Sequence, residues 1–391
     1  MLANFTESKE SKYGQFNTGQ ALVAHTLTVV DDIKPLKGLV LEPSMGTGDF
    51  LNGLAAYDVF TDACEVDPSI YVERKTTQVQ TYQIDFLEFE TDRQYDFVIG
   101  NPPYIEIPYS FYSKEEQEEI KAKYAFLADG RLNLVHIFLG KSMELVAENG
   151  IIAYLLPSVV LTSPTYASLR KRILESFGVV YLEERLLFEG VQISVCMLVL
   201  MRGADASRFV VDYGTGPLFI GNYDEYPEVA PTLGSLGYYT TVGNLLWYEL
   251  GERLLTEETA DSQILLYSNN IKEGKISLDV NLGKDSAKRQ FLYPRMITAK
   301  NCVVLPRTIQ PGKVRFALIK DNDCYQFENH VLIVTHESID HLEKLADYLA
   351  SPQGKKAFAL FTNSVQLTTS EIQSLPIIDY EIEEFKNVLF Q

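Results

Sequence analysis

Short apolar runs recur through the first half of the chain, each closed by glycine, proline or an acidic residue: 38–42, 79–84, 95–99, 151–156, 179–186 and 194–201. A further apolar approach ends in the acids of 62–67. Between these runs lie segments whose apolar positions recur at helical spacing, 21–30, 50–56, 132–147 (closed by Asn149-Gly150 as a C-cap) and 166–177, and 113–123 reads as a capped, highly charged surface helix. Continuous apolar runs suit strands covered on both faces. Their alternation with helices predicts an α/β fold, a mostly parallel sheet with helices on both sides. The segments 179–186 and 194–201 read as a hairpin, so the last strand is expected to run antiparallel. From Gly203 the pattern changes to short runs, frequent turns and many tyrosines, which predicts a second, mixed α+β domain. The expected division is 1–203 and 204–391, with 205–238 as the linking segment.

One of the buried runs, 95–99, delivers Gly100 and then Asn101-Pro102-Pro103-Tyr104 to the carboxyl edge of the predicted sheet. Two prolines fix two φ angles and remove two backbone donors, and Asn101, preceding the first, is held extended. The product is a stiff bracket presenting an amide, unpaired carbonyls and an aromatic ring, suited to a planar ligand with an exocyclic amino group. A rigid turn capped by Asn101 is the plainer alternative.

Other strand ends carry matching chemistry. The strand ending at Glu42 leads into Pro43-Ser-Met-Gly46-Thr-Gly48-Asp-Phe and then a helix, a nucleotide-type turn with neither the GxGxxG nor the GK[ST] signature. A nucleoside ligand without a phosphate at that turn is the expectation. About 20 residues on, Glu65, with Asp67 second, is placed to accept ribose hydroxyls. Asp85-Phe86 ends the third strand, offering an acceptor for an adenine amino group and a ring for its face. Thr18 precedes the first helix, either as its N-cap or beside a carboxylate-bearing ligand at the helix start. Singly each acid also reads as a solvated strand end; four in succession point to one site.

Composition narrows the partners. The chain has 391 residues, 46% hydrophobic and 12% aromatic, enough for two packed cores. Its four cysteines are scattered, which predicts reduced thiols in a cytoplasmic protein. His330, His336 and His341 lack metal-ligand spacing, and no metal is expected. No apolar run reaches membrane-spanning length, so no membrane partner is expected. The net charge of −19 opposes a polyanionic partner taken globally. Locally, 272–320 holds eleven Lys or Arg against three acids, among them Lys284, Lys288, Arg289, Arg295, Lys300, Arg307, Lys313 and Arg315. Such a run is either a solvated face or a nucleic-acid-contacting surface.

The ordered set Thr18, LEPSMGTGDF (41–50), CEVD (64–67), IDF (84–86), NPPY (101–104) and FEGVQIS (188–194) resembles the gamma-class adenine-N6 DNA methyltransferases of restriction–modification systems. The resemblance covers about 13–202 and continues more weakly into the second half. It implies a Rossmann-like domain with a seven-stranded sheet and a C-terminal target-recognition domain. It implies S-adenosylmethionine as cofactor, with Thr18 and Glu42 at its methionine end, Pro43 and Gly46 in the surrounding turn, Glu65 on the ribose, and Asp85 and Phe86 on the adenine. Asn101 and the Pro102 carbonyl would accept the N6 hydrogens of a flipped target adenine, between Tyr104 and Phe188. The implied partners are double-stranded DNA and, as an option, a cognate restriction endonuclease. Gly19 departs from the Pro that many relatives carry after the threonine. Methylation of protein glutamine or RNA, and a catalytically weak DNA-specificity subunit, are the competing readings.

Overall fold

The structure, a computed structural model, describes residues 18–107, 112–128, 130–187, 194–205, 209–212, 216–221, 230–282, 288–295, 301–309, 313–320, 325–361 and 367–378. The chain divides into two compact units, Met1–Glu225 and Tyr226–Gln391.

In the first unit, in chain order, come α1 (Gln20–Ile33), β1 (Lys37–Glu42), α2 (Asp49–Leu54), β2 (Asp58–Glu65), β3 (Val79–Gln83) and β4 (Tyr95–Gly100). Then follow α3 (Lys114–Tyr124), α4 (Leu134–Leu145), β5 (Val146–Pro157), α5 (Ala167–Leu174), β6 (Phe177–Leu187) and β7 (Ser194–Arg202). The seven strands form one sheet in the order β3-β2-β1-β4-β5-β7-β6. Neighbours from β3 to β5 are parallel, and β7 runs antiparallel to both β5 and β6. The expected sheet and its antiparallel last strand are therefore present.

Alternation along the central strands explains the apolar runs. Val40, Phe97, Ile99, Ile151, Ala153 and Leu155 face one core, where Val23, Leu27 and Val30 of α1 cover them. Leu41, Val98, Ile152, Tyr154 and Leu156 face the other, beneath α4 and α5. Both faces of the sheet are thus buried, and polar side chains are left to the strand ends. The strand order reverses between β1 and β4, so their following loops part to opposite sides and open a crevice at the carboxyl edge.

Three local expectations are corrected. Gly19, with φ 75°, takes the N-cap position of α1 and no side chain caps it, so Thr18 is not the cap. The helix expected over 132–147 stops at Leu145, and Asn149-Gly150 is no C-cap but lies within β5. There Asn149 has φ 58°, and the β4–β5 register shifts between Tyr95 and Phe97, the mark of a bulge. The first unit also extends past 203, to Glu225. The hairpin of β8 (Val210–Asp212) and β9 (Pro217–Phe219) belongs to it. Arg170, 1% exposed, donates to the carbonyls of Val160 (2.8 Å), Ser163 (2.9 Å) and Pro217 (2.5 Å), and Phe219 sits in the core. A buried guanidinium needs such acceptors, so the hairpin is held to the first unit.

Among the described residues, the second unit holds two four-stranded sheets. One orders β10 (Tyr239–Val242), β17 (Val331–Thr335), β14 (Cys302–Pro306) and β15 (Ala317–Ile319). The other orders β11 (Leu254–Leu255), β13 (Phe291–Leu292), β12 (Gln263–Leu266) and β16 (Tyr325–Phe327). The helices α6 (Ile339–Ala350), α7 (Pro352–Phe361) and α8 (Thr369–Gln373) follow. Its apolar core is built on Leu266, Ile271, Val304, Ala317 and Val331. Among the described residues no helix is long and apolar enough to cross a membrane.

Candidate active site at the carboxyl edge of the first sheet

The sheet order places Asp85, Glu65, Glu42 and Asn101 on four consecutive strand ends, β3 to β2 to β1 to β4. Register makes the alignment close: Glu42 pairs with Ala63, two residues before Glu65, and Glu65 pairs with Gln83, two before Asp85.

Glu42 is 1% exposed, and its Oε2 has no hydrogen-bond partner among the described residues. Burial first, and then the charges of Glu65 and Asp49, push its carboxyl well above the ordinary range, while Arg74 partly offsets them. After it, the turn folds back on β2: Met45 N donates to Cys64 O (2.8 Å) and Gly48 N to Met45 O (2.8 Å). Gly46 and Gly48 both have positive φ, 55° and 85°, and Gly48 precedes α2 in a left-handed conformation. A Cβ on Gly46 would meet nothing within 4 Å, so the turn faces open space.

Glu65 Oε2 accepts from Gly46 N (2.7 Å) and its Oε1 from Asp67 N (2.8 Å). Two backbone donors fix the carboxylate and leave lone pairs on each oxygen for further donors. Burial nevertheless raises its pKa, the backbone bonds opposing the shift. Asp67 Oδ1 instead accepts from Ser69 N (2.8 Å), a turn-forming bond.

Asp85 Oδ1 accepts from Leu87 N (2.8 Å) and its Oδ2 from the Tyr112 hydroxyl, a residue the sequence did not single out. Phe86 is 2% exposed, and its ring packs on Phe138 with centroids 4.9 Å apart. Its face is therefore committed to the core beneath α4. The Lys141 ammonium, on α4, donates to the carbonyls of Phe86 (2.6 Å) and Leu87 (2.8 Å) and pins this loop from below.

The Asn101 amide is held at both ends. Its Nδ2 donates to Thr18 Oγ1 (3.2 Å), and its Oδ1 accepts from Tyr104 Oη (2.5 Å). Its carbonyl accepts from Ser44 Oγ (3.0 Å), tying the loop after β4 to the turn after β1 across the crevice. Tyr104 Oη lies 2.9 Å from Leu155 O as well, so one phenolic proton has two acceptors. Burial keeps that phenol protonated by pushing its pKa well up. Pro102 and Pro43 are both buried beside these loops. Phe188 lies outside the described residues.

The second unit's cations have varied surroundings. Lys288 Nζ lies 5.4 Å from the centroid of the Trp247 ring and 5.3 Å from that of Tyr267. Arg289 donates to Lys288 O (3.1 Å). Arg315 is half-buried, donates to Thr308 O (3.0 Å), and has its pKa lowered by burial. Arg307 is half-buried, with a buried Nε that has no partner among the described residues. Arg295 and Lys313 are exposed. Lys284 and Lys300 lie outside the described residues.

The Eco57I restriction-modification methylase family matches residues 60–183, a span that holds Glu65, Asp85, Asn101 and Tyr104. The type II methyltransferase M.CvrRI of Paramecium bursaria Chlorella virus XZ-6E is 24% identical over 387 residues, covering 95% of this chain and 96% of that protein. The modification methylase CviBIII of Paramecium bursaria Chlorella virus NC1A is 29% identical over 180 residues, 43% of this chain and 44% of that protein. Among solved structures, the type IIL restriction-modification enzyme MmeI in complex with DNA shares the fold at a TM-score of 0.51 and 13% identity. That likeness covers 92% of this chain and 63% of the MmeI chain. Residues 60–183 thus match the Eco57I restriction-modification methylase family, and the chain is similar to a type II methyltransferase over nearly its whole length.

Proposed function

We propose that this protein methylates the N6 nitrogen of adenine in double-stranded DNA, at a specific sequence, as the modification component of a restriction–modification system. The observation that carries the reading is the row of Asp85, Glu65, Glu42 and Asn101 along four adjacent strand ends at the point where the strand order reverses.

The cofactor is S-adenosylmethionine, which when bound supplies an electrophilic methyl group on a positively charged sulfur. The residues present suit it: the buried Glu42 carboxyl has an unpartnered oxygen, and the Gly46 turn faces open space. Glu42 and Thr18 take its methionine end, with Pro43 and Gly46 in the turn. Glu65, braced by two backbone donors, accepts from the ribose hydroxyls, and Asp85 accepts from the adenine amino group.

Asn101 Oδ1 and the Pro102 carbonyl accept the two N6 hydrogens of the target base. Those contacts localise the nitrogen lone pair, otherwise delocalised into the ring, and take up the positive charge that develops on nitrogen. The Thr18 contact favours the amide orientation this requires, with oxygen rather than nitrogen toward the base. When the base occupies Asn101 Oδ1, the Tyr104 proton has Leu155 O as its other acceptor, so the phenol is not stranded. The target atom is buried in a duplex, so the base is flipped out and held against the Tyr104 ring. The second unit reads the sequence, with Arg295 and Lys313 among the exposed cations of the basic run. A cognate endonuclease is the natural partner of such an enzyme.

Asn101→Ala is expected to abolish methyl incorporation from labelled S-adenosylmethionine into duplex DNA while cofactor affinity, read by calorimetry, stays near wild type. Full activity in that variant would sink the mechanism.

A further inference from the structure

We infer that Tyr112 is a positioning residue for the cofactor's adenine, and that its hydroxyl makes Asp85 selective for a 6-amino over a 6-oxo purine. The inference rests on the reading of Asp85 as acceptor for that amino group.

Tyr112 is held where it is by structure of its own. Its carbonyl accepts from Gln117 Nε2 (2.9 Å), and Gln117 is 4% exposed. The next residue, Ser113, caps α3 in a reciprocal box with Glu116: Glu116 N donates to Ser113 Oγ (3.2 Å), and Ser113 N to Glu116 Oε2 (2.6 Å). The ring packs against the core shared with α4. From that anchor the hydroxyl reaches the Asp85 carboxylate, 27 residues back in sequence. Burial, and then the Asp85 charge, push the phenol pKa up, so it remains a donor.

Asp85 is thus braced from three directions. Leu87 N holds Oδ1, Tyr112 holds Oδ2, and Lys141 clamps the two carbonyls that follow Asp85. An ionised carboxylate offers about four lone-pair sites, so one donor on each oxygen leaves acceptor capacity for an amino hydrogen. Rotation of the carboxylate, by contrast, is removed. A 6-oxo purine presents a carbonyl oxygen at this point. It meets an acceptor whose neighbouring donor proton is already committed, and is rejected. Losing the Tyr112 hydroxyl frees the carboxylate to turn away, which weakens the amino contact and leaves the 6-oxo ligand nearly unaffected.

The test compares S-adenosylhomocysteine with its deaminated form, S-inosylhomocysteine, by calorimetry on the full chain. Wild type is expected to prefer the amino form. Tyr112→Phe is expected to weaken S-adenosylhomocysteine about tenfold and to shift S-inosylhomocysteine less than about twofold, so the preference ratio falls by nearly the same factor. Tyr112→Trp, which also removes the hydroxyl from Asp85, is expected to lower the ratio as well, should the phenylalanine variant fold poorly. In an Asp85→Ala background Tyr112→Phe is expected to add nothing. Equal losses for both ligands, an unchanged ratio, or an independent effect in the Asp85→Ala background would overturn the inference. A wild-type protein that binds neither ligand would overturn the cofactor reading itself, and one that binds both equally would overturn the role of Asp85.

Discussion

The carboxyl edge of the first sheet and the basic run of the second unit both stand out in the sequence, but the fold treats them differently. At the sheet edge, Glu65, Asp85 and Asn101 are each held by short bonds to backbone or hydroxyl groups, and these leave acceptor capacity directed into one crevice. In the basic run, Arg315 is turned onto a backbone carbonyl, Lys288 lies over aromatic rings, and Arg295 and Lys313 stand exposed on different segments. Strand ends in a parallel sheet converge because topology makes them converge. A charge run in a mixed unit is divided among elements, so net charge over a window says little about where each cation points.

This contrast can be broken by four substitutions. The largest expected effect is at the sheet edge: Glu65→Ala should weaken cofactor binding about 100-fold, from loss of charge-assisted contacts to two hydroxyls. Calorimetry reads this, and DNA affinity should not change. Next is Arg315→Ala, which should lower stability by about 0.5–1.5 kcal/mol in denaturant titration by removing its bond to the Thr308 carbonyl. The salt dependence of DNA binding should stay the same, because that guanidinium serves the fold. A lowered salt slope there would show that the run acts as one surface.

The third effect is a pH dependence. The folded-state pKa of Glu42 lies above its unfolded value, so its contribution to apo stability is full below the ordinary carboxylate range and is lost as pH rises through the raised pKa. Glu65 contributes in the same direction. A cationic ligand favours the ionised form, so cofactor binding should tighten with rising pH over the same window and release protons. Calorimetry in buffers of different ionisation enthalpy reads that release, and Glu42→Gln should remove most of it. The smallest effect is at Lys313→Ala, which should reduce the slope of log affinity against log salt by about 0.9 if the side chain meets one phosphate. It should leave turnover at saturating DNA unchanged.

How much of this was legible follows the same division. The sheet, its antiparallel last strand and the four edge residues could be read because apolar runs buried on both faces leave polar side chains only at strand ends. Asn101-Pro-Pro-Tyr104 was legible because proline chemistry is local. Tyr112 was not, since its contact with Asp85 depends on where α3 begins relative to β3. Nor was the Thr18–Asn101 bond, which spans 83 residues. Phe86 misled because an aromatic after a strand-end acid reads equally as a ligand wall or as core, and Phe138 on α4 decides for core. Asn149-Gly150 misled for a related reason: a left-handed Asn before Gly ends a helix or bulges a strand equally well, and the pairing of β5 with β4 settles which.

The central claim concerns one atom of one base. The most direct measurement incubates the protein with S-adenosylmethionine and duplex DNA, digests the product to nucleosides and separates them by mass spectrometry. N6-methyladenine should appear as the modified base in the wild-type reaction and be absent with Asn101→Ala. Methylated cytosine in its place, or no modified nucleoside from a wild-type protein that binds the cofactor, would contradict the account.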